Sequence, residues 1–224
     1  MHPDIHPACE TSSSFRVWAP WRFNLGDHWQ TVNYLLTRSF ILREEQLLSR
    51  YQHGQDHGAR FEEILALING PERSCVTLVD EPGVHEPDGF DVWAAPSWPT
   101  HLRWEPPFGT ESIAYQFDGI SSAKDKNPSE SDQALIWNVL NTHSGKPTTA
   151  LGKHLTLKQC VAVLARTPFF IGCDSGMSHL AHAVGCPTII IEYDLPIITC
   201  HRGKHFMLAR GTDEALALIR RMFR

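Results

Sequence analysis

The sequence has little of what marks secreted, membrane-spanning or nucleic-acid-binding proteins. Its six cysteines never approach C-x-x-C spacing, and no cationic segment followed by an apolar stretch opens the chain, so we expect a reducing, cytoplasmic setting. Apolar runs such as "PTIII" and "AVLA" fall far short of the roughly 20 residues needed to cross a bilayer. Twenty Lys and Arg against 25 Asp and Glu give a net charge of −5, which does not favour a nucleic-acid partner.

The sequence does contain the material for a packed core, since 42% of its 224 residues are hydrophobic. A chain of this length forms one large domain or two small ones. Residues 1–14 are polar without periodicity, which predicts a flexible tail. The segment 81–109 is rich in proline and tryptophan and disfavours regular structure, so we place a domain boundary near residue 109. The expected domains cover 15–109 and 110–224.

The first half of the chain predicts a short α/β domain. The stretch 15–21 alternates and is rich in β-forming residues, which predicts a strand, and apolar residues at helical spacing follow it from Trp29 to Leu36. Two further helices are expected at "ILREEQLLSRY" and "ARFEEILALING", and two further strands at "SCVTLVDEPG" and "FDVWAAP" (90–96).

The second half alternates strands and helices more regularly. Strands are predicted at "SIAYQFDG", "FFIGC" and "PTIIIEY", and helices at "SESDQALIWNVLNTHSG", "LTLKQCVAVLARTP", "MSHLAHAVG" and "TDEALALIRRMF". Ser129 or Ser131 is the expected N-cap of the first helix, Gly145 its expected end, and Thr212 the expected start of the last. Such alternation predicts mainly parallel sheets. The fold class is therefore α/β, with two small Rossmann-like domains facing a cleft.

The most informative stretch is "FFIGCDSGMSHLAHAVGCPTIIIEYD", which runs from Phe169 to Asp194. A turn at Asp174-Ser175-Gly176 separates a buried strand from a helix, and in parallel sheets this edge is where helix N-termini receive phosphate groups. Ser175, Ser178 and His179 are candidate donors to phosphate oxygens, and Asp174 is a candidate acceptor for a sugar or ribose hydroxyl. The spacing alone leaves open that Asp174 caps the helix and that His179 is a satisfied core histidine.

The segment "IGCDSGMSHLAHAVGCPTIII" resembles the donor site of the heptosyltransferase-like glycosyltransferases of family 9, which have the GT-B fold. Their pattern is a strand followed by Asp-Ser/Thr-Gly-x-x-His-x-Ala-x-Ala-x-Gly-x-Pro-Thr. The residues of this chain that fall on the pattern are Asp174, Ser175, Gly176, His179, Ala181, Ala183, Gly185, Pro187 and Thr188. The helix sequence upstream also fits, so the resemblance covers about residues 155–192.

The resemblance implies two further site elements. The family carries a Gly-Asp at the start of its first helix, matched here by Gly26 and Asp27, and this Asp activates the acceptor hydroxyl; by itself, Asp27 would only be a helix cap. A lysine after the first strand of the second domain contacts the donor phosphate, and Lys124 and Lys126 are both candidates. The nucleoside is expected near Glu192 to Pro196, where carboxylates can hold a ribose.

The implied function is metal-independent, inverting transfer of a sugar from a nucleotide-sugar donor to a glycan or other hydroxyl acceptor, without a cofactor. The first domain, on the acceptor side, is expected to be abridged relative to the family, which makes a homo-oligomer an open expectation. The alternatives are a nucleotide-sugar hydrolase or epimerase, a non-catalytic nucleotide-sugar-binding module, and transfer of a sugar to a nucleic-acid base. A metal at His53, Asp56 and His57 is disfavoured because no further ligand is nearby in the sequence.

Overall fold

The computed structural model describes two compact units, which span residues 1–103 and 104–224. The structure describes residues 14–17, 25, 26, 28, 29, 31, 32, 35, 36, 45–52, 55, 56, 58–68, 75–80, 112–117, 127–152, 154–193 and 206–223. Among the helices in these ranges, none combines the length and the hydrophobicity that crossing a membrane requires. The strand predicted at 90–96 lies outside the described residues.

The first unit contains a parallel sheet of three strands, β1 (Ser14–Val17), β2 (Glu45–Ser49) and β5 (Val76–Val79), in the order β1-β2-β5. Two short strands, β3 (Tyr51–Gln52) and β4 (Gln55–Asp56), pair antiparallel. Helix α1 spans Gly58–Leu67, and the described residues between 25 and 36 are also helical. The core includes Val32, Leu35, Leu48, Phe61 and Ile64, all fully buried.

The helix predicted at "ILREEQLLSRY" was wrong, because its described part forms the central strand β2. Glu, Gln and Leu favour helices, and that preference misled the prediction. The strand prevails because its backbone is hydrogen-bonded on both sides, to β1 and to β5, while Gln46 and Leu48 are fully buried. Tertiary pairing therefore overrides local propensity here.

The second unit is a five-stranded parallel sheet with helices between its strands. Its strands are β6 (Ile113–Gln116), β7 (Thr148–Ala150), β8 (Phe170–Gly172), β9 (Thr188–Glu192) and β10 (Phe206–Arg210), in the order β10-β9-β8-β6-β7. Its helices are α2 (Glu130–Ser144), α3 (Leu157–Leu164), α4 (Gly176–Ala183) and α5 (Thr212–Met222). The predicted α/β class and parallel sheet are confirmed.

The strand order contains a reversal that matters for binding. From β6 the chain moves outward to β7, and then returns past β6 to build β8, β9 and β10 on the opposite side. The reversal point therefore lies between β6 and β8. In open α/β sheets, ligands bind beyond the carboxyl ends of the strands at such a point.

The core explains why the central strands of this unit are apolar throughout. Ile171, Ile189 and Ile191 are buried with Ile136 and Leu140 of α2 and Ile219 of α5. Parallel strands covered by helices read as continuous apolar runs, as "FFIG" and "TIII" do. The two strands of this unit that the sequence analysis did not predict, β7 and β10, are the edges of its sheet.

The helix ends follow the capping signals in the sequence. Ser129 is the N-cap of α2 and accepts a hydrogen bond from the backbone N–H of Asp132 (3.2 Å). Gly145 ends that helix in the left-handed conformation, with φ of 57°. Helix α5 begins at Thr212, as predicted, and Gly211 precedes it with φ of 86°.

Candidate functional site

The candidate site is built on the carboxyl edge of the second sheet. The last residue of β6, Gln116, is paired with Gly172, the last residue of β8. Glu192 ends β9 two residues beyond Ile190, which is the partner of Gly172. The polar residues that follow these strands are therefore gathered at one edge, next to the reversal point of the sheet.

The turn from β8 into α4 is held by hydrogen bonds between its own serines. Ser175 is the N-cap, and its backbone N–H donates to Oγ of Ser178 (3.2 Å). The Ser178 hydroxyl in turn donates to the Ser175 carbonyl (2.6 Å), and Ser178 is fully buried. Ser178, predicted as a phosphate donor, thus has its hydroxyl proton committed to shaping the turn.

Ser175 is also tied to a residue that the sequence analysis did not single out. Its hydroxyl donates to Oε1 of Gln116 (2.8 Å), which links the turn after β8 to the end of β6. The only signal for Gln116 in the sequence is its place as a polar residue near the end of a predicted apolar strand. Sequence spacing cannot join residues 116 and 175, because the link depends on the strand order.

The first turn of α4 offers backbone N–H groups to a ligand. The N–H groups of Ser178 and His179 bond to the Ser175 carbonyl (3.1 and 3.4 Å). Those of Gly176 and Met177 have no acceptor within the helix, because the first N–H groups of an α-helix lie beyond its ladder. With the positive end of the helix dipole, they favour an anionic group.

The other residues predicted around this turn lie beside it. Asp174 is only 7% exposed and takes part in interactions within the folded chain, whereas His179 is partly exposed on the second turn of α4. Glu192 is partly exposed, and its carbonyl accepts a hydrogen bond from the N–H of Gly211 (2.8 Å). The structure therefore brings Asp174, Ser175, Gly176, Ser178 and His179 together in one turn, with Glu192 at the end of the neighbouring strand.

Asp27, Lys124 and Lys126 lie outside the described residues, so their predicted roles stay predictions. The residue after Lys126 is described: the Sγ of Cys173 lies 3.4 Å from Oδ1 of Asn127. Because Cys173 precedes Asp174, this contact brings the end of the "SSAKDKN" segment against the turn. No three His, Cys, Asp or Glu side chains within the described ranges are placed to share a metal ion.

A second polar cluster at the same edge joins two helices to β9. The Tyr193 hydroxyl lies 3.2 Å from the Thr212 hydroxyl, which donates to Oδ1 of Asp132 (2.7 Å). Hydrogen bonds from Ser129 and then from Thr212 hold the pKa of Asp132 below its usual value. Burial raises the pKa of Tyr193, so its hydroxyl remains a proton donor at neutral pH.

Comparison with known proteins supports the family resemblance. Residues 124–191 match the family described as glycosyltransferase family 9 (heptosyltransferase). The resemblance inferred from the Asp174 motif is therefore confirmed, and the matched segment contains both the turn and Asn127. No curated protein sequence matches the chain at a significant level.

Two similar solved structures are of one protein, the glycosyltransferase TibC of enterotoxigenic E. coli H10407, described as iron-containing and dodecameric. One has a TM-score of 0.57 at 15% identity and covers 81% of this chain. The other, in complex with ADP-D-beta-D-heptose, has a TM-score of 0.60 at 14% identity and covers 88%. They confirm the α/β fold. The chain spans only 59% and 63% of those chains.

Proposed function

We propose that this chain is a heptosyltransferase-like glycosyltransferase of family 9, which moves a sugar from a nucleotide-sugar donor to a hydroxyl acceptor. The observation that carries the proposal is the Asp174-Ser175-Gly176 turn. It lies within the segment that matches the family, and it follows a strand next to the reversal point of a parallel sheet. The ADP-heptose in the TibC complex supports a nucleotide sugar as the class of donor.

On the donor side, the diphosphate lies against the first turn of α4. The N–H groups of Gly176 and Met177 bind its oxygens, and His179 adds a donor from the next turn. Asp174 would repel phosphate, so its carboxylate accepts from a hydroxyl of the donor sugar or ribose. Glu192, at the end of β9, takes a ribose hydroxyl.

A lysine supplies positive charge to the leaving group. Lys124 and Lys126 precede Asn127, whose side chain contacts Cys173 beside the Asp174 turn. Because Asn127 lies against the turn, the lysines just before it in the sequence are close enough to reach the diphosphate. The segment that matches the family begins at Lys124. The charge that develops on the diphosphate is then stabilised by a lysine and a helix N-terminus.

The transfer is a direct displacement at the anomeric carbon. The acceptor oxygen forms a bond to that carbon as its bond to the diphosphate oxygen breaks, which inverts the configuration. Asp27 takes the acceptor proton as general base. No metal ion has a role in this proposal. The remaining expectations are a cytoplasmic setting and a homo-oligomer, in keeping with the dodecameric TibC.

A binding experiment tests the donor site. Thermal unfolding of the purified protein is followed with ADP-, GDP-, UDP-, CDP- and dTDP-linked sugars. A ligand at about 100 times its Kd stabilises the native state by about 2.7 kcal/mol, which raises the melting temperature by several degrees. Asp174→Ala and Asp174→Asn should lose this rise, and Glu62→Ala, which removes an exposed carboxylate on α1, should keep it. Wild-type protein that no nucleotide sugar stabilises would contradict the proposal.

A turnover experiment separates transfer from the alternatives. Donor consumption that requires an added hydroxyl acceptor indicates a transferase, whereas consumption without one indicates a hydrolase or an epimerase. Asp27→Ala should abolish transfer and leave donor binding intact. If the donor binds but is consumed only slowly, and neither an added acceptor nor Asp27→Ala changes that rate, the chain is a binding module. Repeating the assay after treatment with a chelator tests metal independence.

A further inference from the structure

Gln116 contacts the proposed donor turn at two points. Its carbonyl accepts from the backbone N–H of Cys173 (3.4 Å), and its Oε1 accepts from the hydroxyl of Ser175 (2.8 Å). It ends β6, beside β8, so it stands at the reversal point of the sheet. This is the position at which a parallel sheet binds its ligand.

The Gln116–Ser175 hydrogen bond decides which group can donate to a ligand. A serine hydroxyl has one proton, and that of Ser175 is committed to Gln116. Ser175 therefore cannot donate to a phosphate oxygen while this bond is intact. The carboxamide of Gln116 has two N–H groups on the nitrogen opposite the occupied oxygen.

The amide nitrogen of Gln116 is available to a ligand. Within the described part of the chain it has no hydrogen-bond partner. The residue is partly exposed. Gln116 lies at the carboxyl edge of the sheet, next to the turn.

We propose that Gln116 is a donor-binding residue that gives an amide N–H to an anionic oxygen of the nucleotide diphosphate, while its amide oxygen orients Ser175. This inference rests on the proposed function and assigns to Gln116 the role that the sequence pattern gave to Ser175. An approaching anion reinforces the arrangement, because it attracts the N–H side of the carboxamide and repels the oxygen. Such a charge-assisted hydrogen bond is stronger than one between neutral groups.

Two variants of Gln116 distinguish the role of its amide N–H groups from that of its amide oxygen. Gln116→Glu keeps an acceptor for Ser175 but replaces the N–H groups by an anionic oxygen. Gln116→Met removes both functions at similar volume. Each should weaken ADP binding, measured by calorimetry, by about tenfold or more, the scale of a lost hydrogen bond to a charged group. Ser175→Ala keeps the amide nitrogen of Gln116 and should weaken ADP binding only about threefold, because it removes only the hydrogen bond that orients the carboxamide.

A charge control and a pH series complete the test. Gln159→Glu makes the same charge change in the capping box of α3, where the new carboxylate still accepts from the N–H of Thr156, and it should bind ADP like the wild type. Affinity in Gln116→Glu should recover as the pH falls towards the usual glutamate pKa of about 4.3, since the protonated carboxyl regains a donor. Gln116→Met should show no recovery.

The outcomes keep this inference separate from the proposed function. If the wild type binds ADP, or GDP, UDP, CDP or dTDP used in its place, and Gln116→Glu binds equally well, the role of Gln116 is overturned while the donor site stands. If the wild type binds none of these nucleotides, the proposed function fails and the assignment of Gln116 fails with it. Equal losses in Gln116→Glu and Gln159→Glu would also overturn the inference, since overall charge would then explain them.

Discussion

The hydroxyl of Thr212 donates to Oδ1 of Asp132 at 2.7 Å, although the two residues are 80 positions apart. The bond ties the first turn of α5 to the first turn of α2, and the Tyr193 hydroxyl adds the residue after β9 to the same cluster. Both helices therefore start from one fixed point on the carboxyl edge, close to Glu192. The cluster positions the part of the sheet to which the proposed ribose contact belongs.

Removing this link should destabilise the second unit slightly. Thr212→Val removes the donor to Asp132 and should lower the free energy of unfolding by about 0.5–1 kcal/mol, since the group is solvent-accessible. The folded-state pKa of Asp132 is depressed, so this stability is complete above the usual Asp pKa of about 3.9 and is lost as the pH falls from there through the lower folded-state pKa. Urea unfolding at pH 7 and pH 3.5 should show the difference from wild type shrinking at the lower pH.

The matched control is Thr142→Val, on the exposed surface of α2. The Thr142 hydroxyl donates to the carbonyl of Asn138 in its own helix (2.8 Å), and its loss should change the free energy of unfolding by a few tenths of a kcal/mol. An equal effect of the two substitutions at both pH values would contradict the role given to the Thr212–Asp132 bond.

The turn after β8 could be predicted from the sequence because its signals are local. A buried run, Ser175 and Gly176 follow one another within a few residues, and each end of α2 has its own local signal, Ser129 or Gly145. What could not be predicted depends on strand order. The Gln116–Ser175 and Thr212–Asp132 bonds exist because β6 lies beside β8 and β10 beside β9. The strand β2 was mistaken for a helix for the same reason, since its partners are distant in sequence.

A buried threonine joins the amino-terminal ends of β6 and β8. Thr167 Oγ1 accepts from the backbone N–H of Ala114 (3.0 Å) and donates to the carbonyl of Phe169 (2.7 Å). Thr167→Val keeps the shape but leaves both buried backbone groups without this partner, and should cost about 1–3 kcal/mol. Thr167→Ser keeps the hydroxyl and should recover most of the loss in chemical denaturation. If Thr167→Ser is as unstable as Thr167→Val, packing of the methyl group matters more than the hydrogen bonds.

Gly172 allows the close approach of strands that places Gln116 beside the turn. A Cβ added at Gly172 would lie 2.5 Å from the carbonyl oxygen of Gln116 and 2.8 Å from Cζ of Phe170. Gly172→Ala should therefore destabilise the protein by about 1–3 kcal/mol, because backbone has to shift. It should also weaken nucleotide binding, because that shift moves Gln116.

Gly152→Ala, whose nearest neighbour is the ring of His154 at 3.4 Å, serves as the control and should be nearly neutral. Unfolding and ADP titrations of both variants check this, and wild-type behaviour of Gly172→Ala would refute the required close approach.

Cys186, just before β9, should make stability fall at alkaline pH. Its buried Sγ donates to the carbonyl of Pro187 (3.3 Å), and burial raises the pKa of the thiol to about 12, partly offset by a backbone hydrogen bond from Phe170. In the unfolded chain the thiol ionises near its usual pKa of about 8.5. The folded pKa is the higher one, so the stabilisation is complete below about pH 8.5 and decreases as the pH rises, by about 1.4 kcal/mol per pH unit until the folded thiol itself ionises.

The measurement compares wild type and Cys186→Ala by urea unfolding between pH 7 and pH 10. The difference between their free energies of unfolding should change by about 1.4 kcal/mol between pH 9 and pH 10, because only the wild type carries the ionising thiol at this position. Alkylation at pH 8 supplies a second readout: the peptide containing Cys186 should react only after unfolding, since the protonated, buried thiol is not a nucleophile. A parallel pH dependence of the two proteins, together with rapid alkylation of native Cys186, would show that this thiol is exposed and ionisable in the folded state.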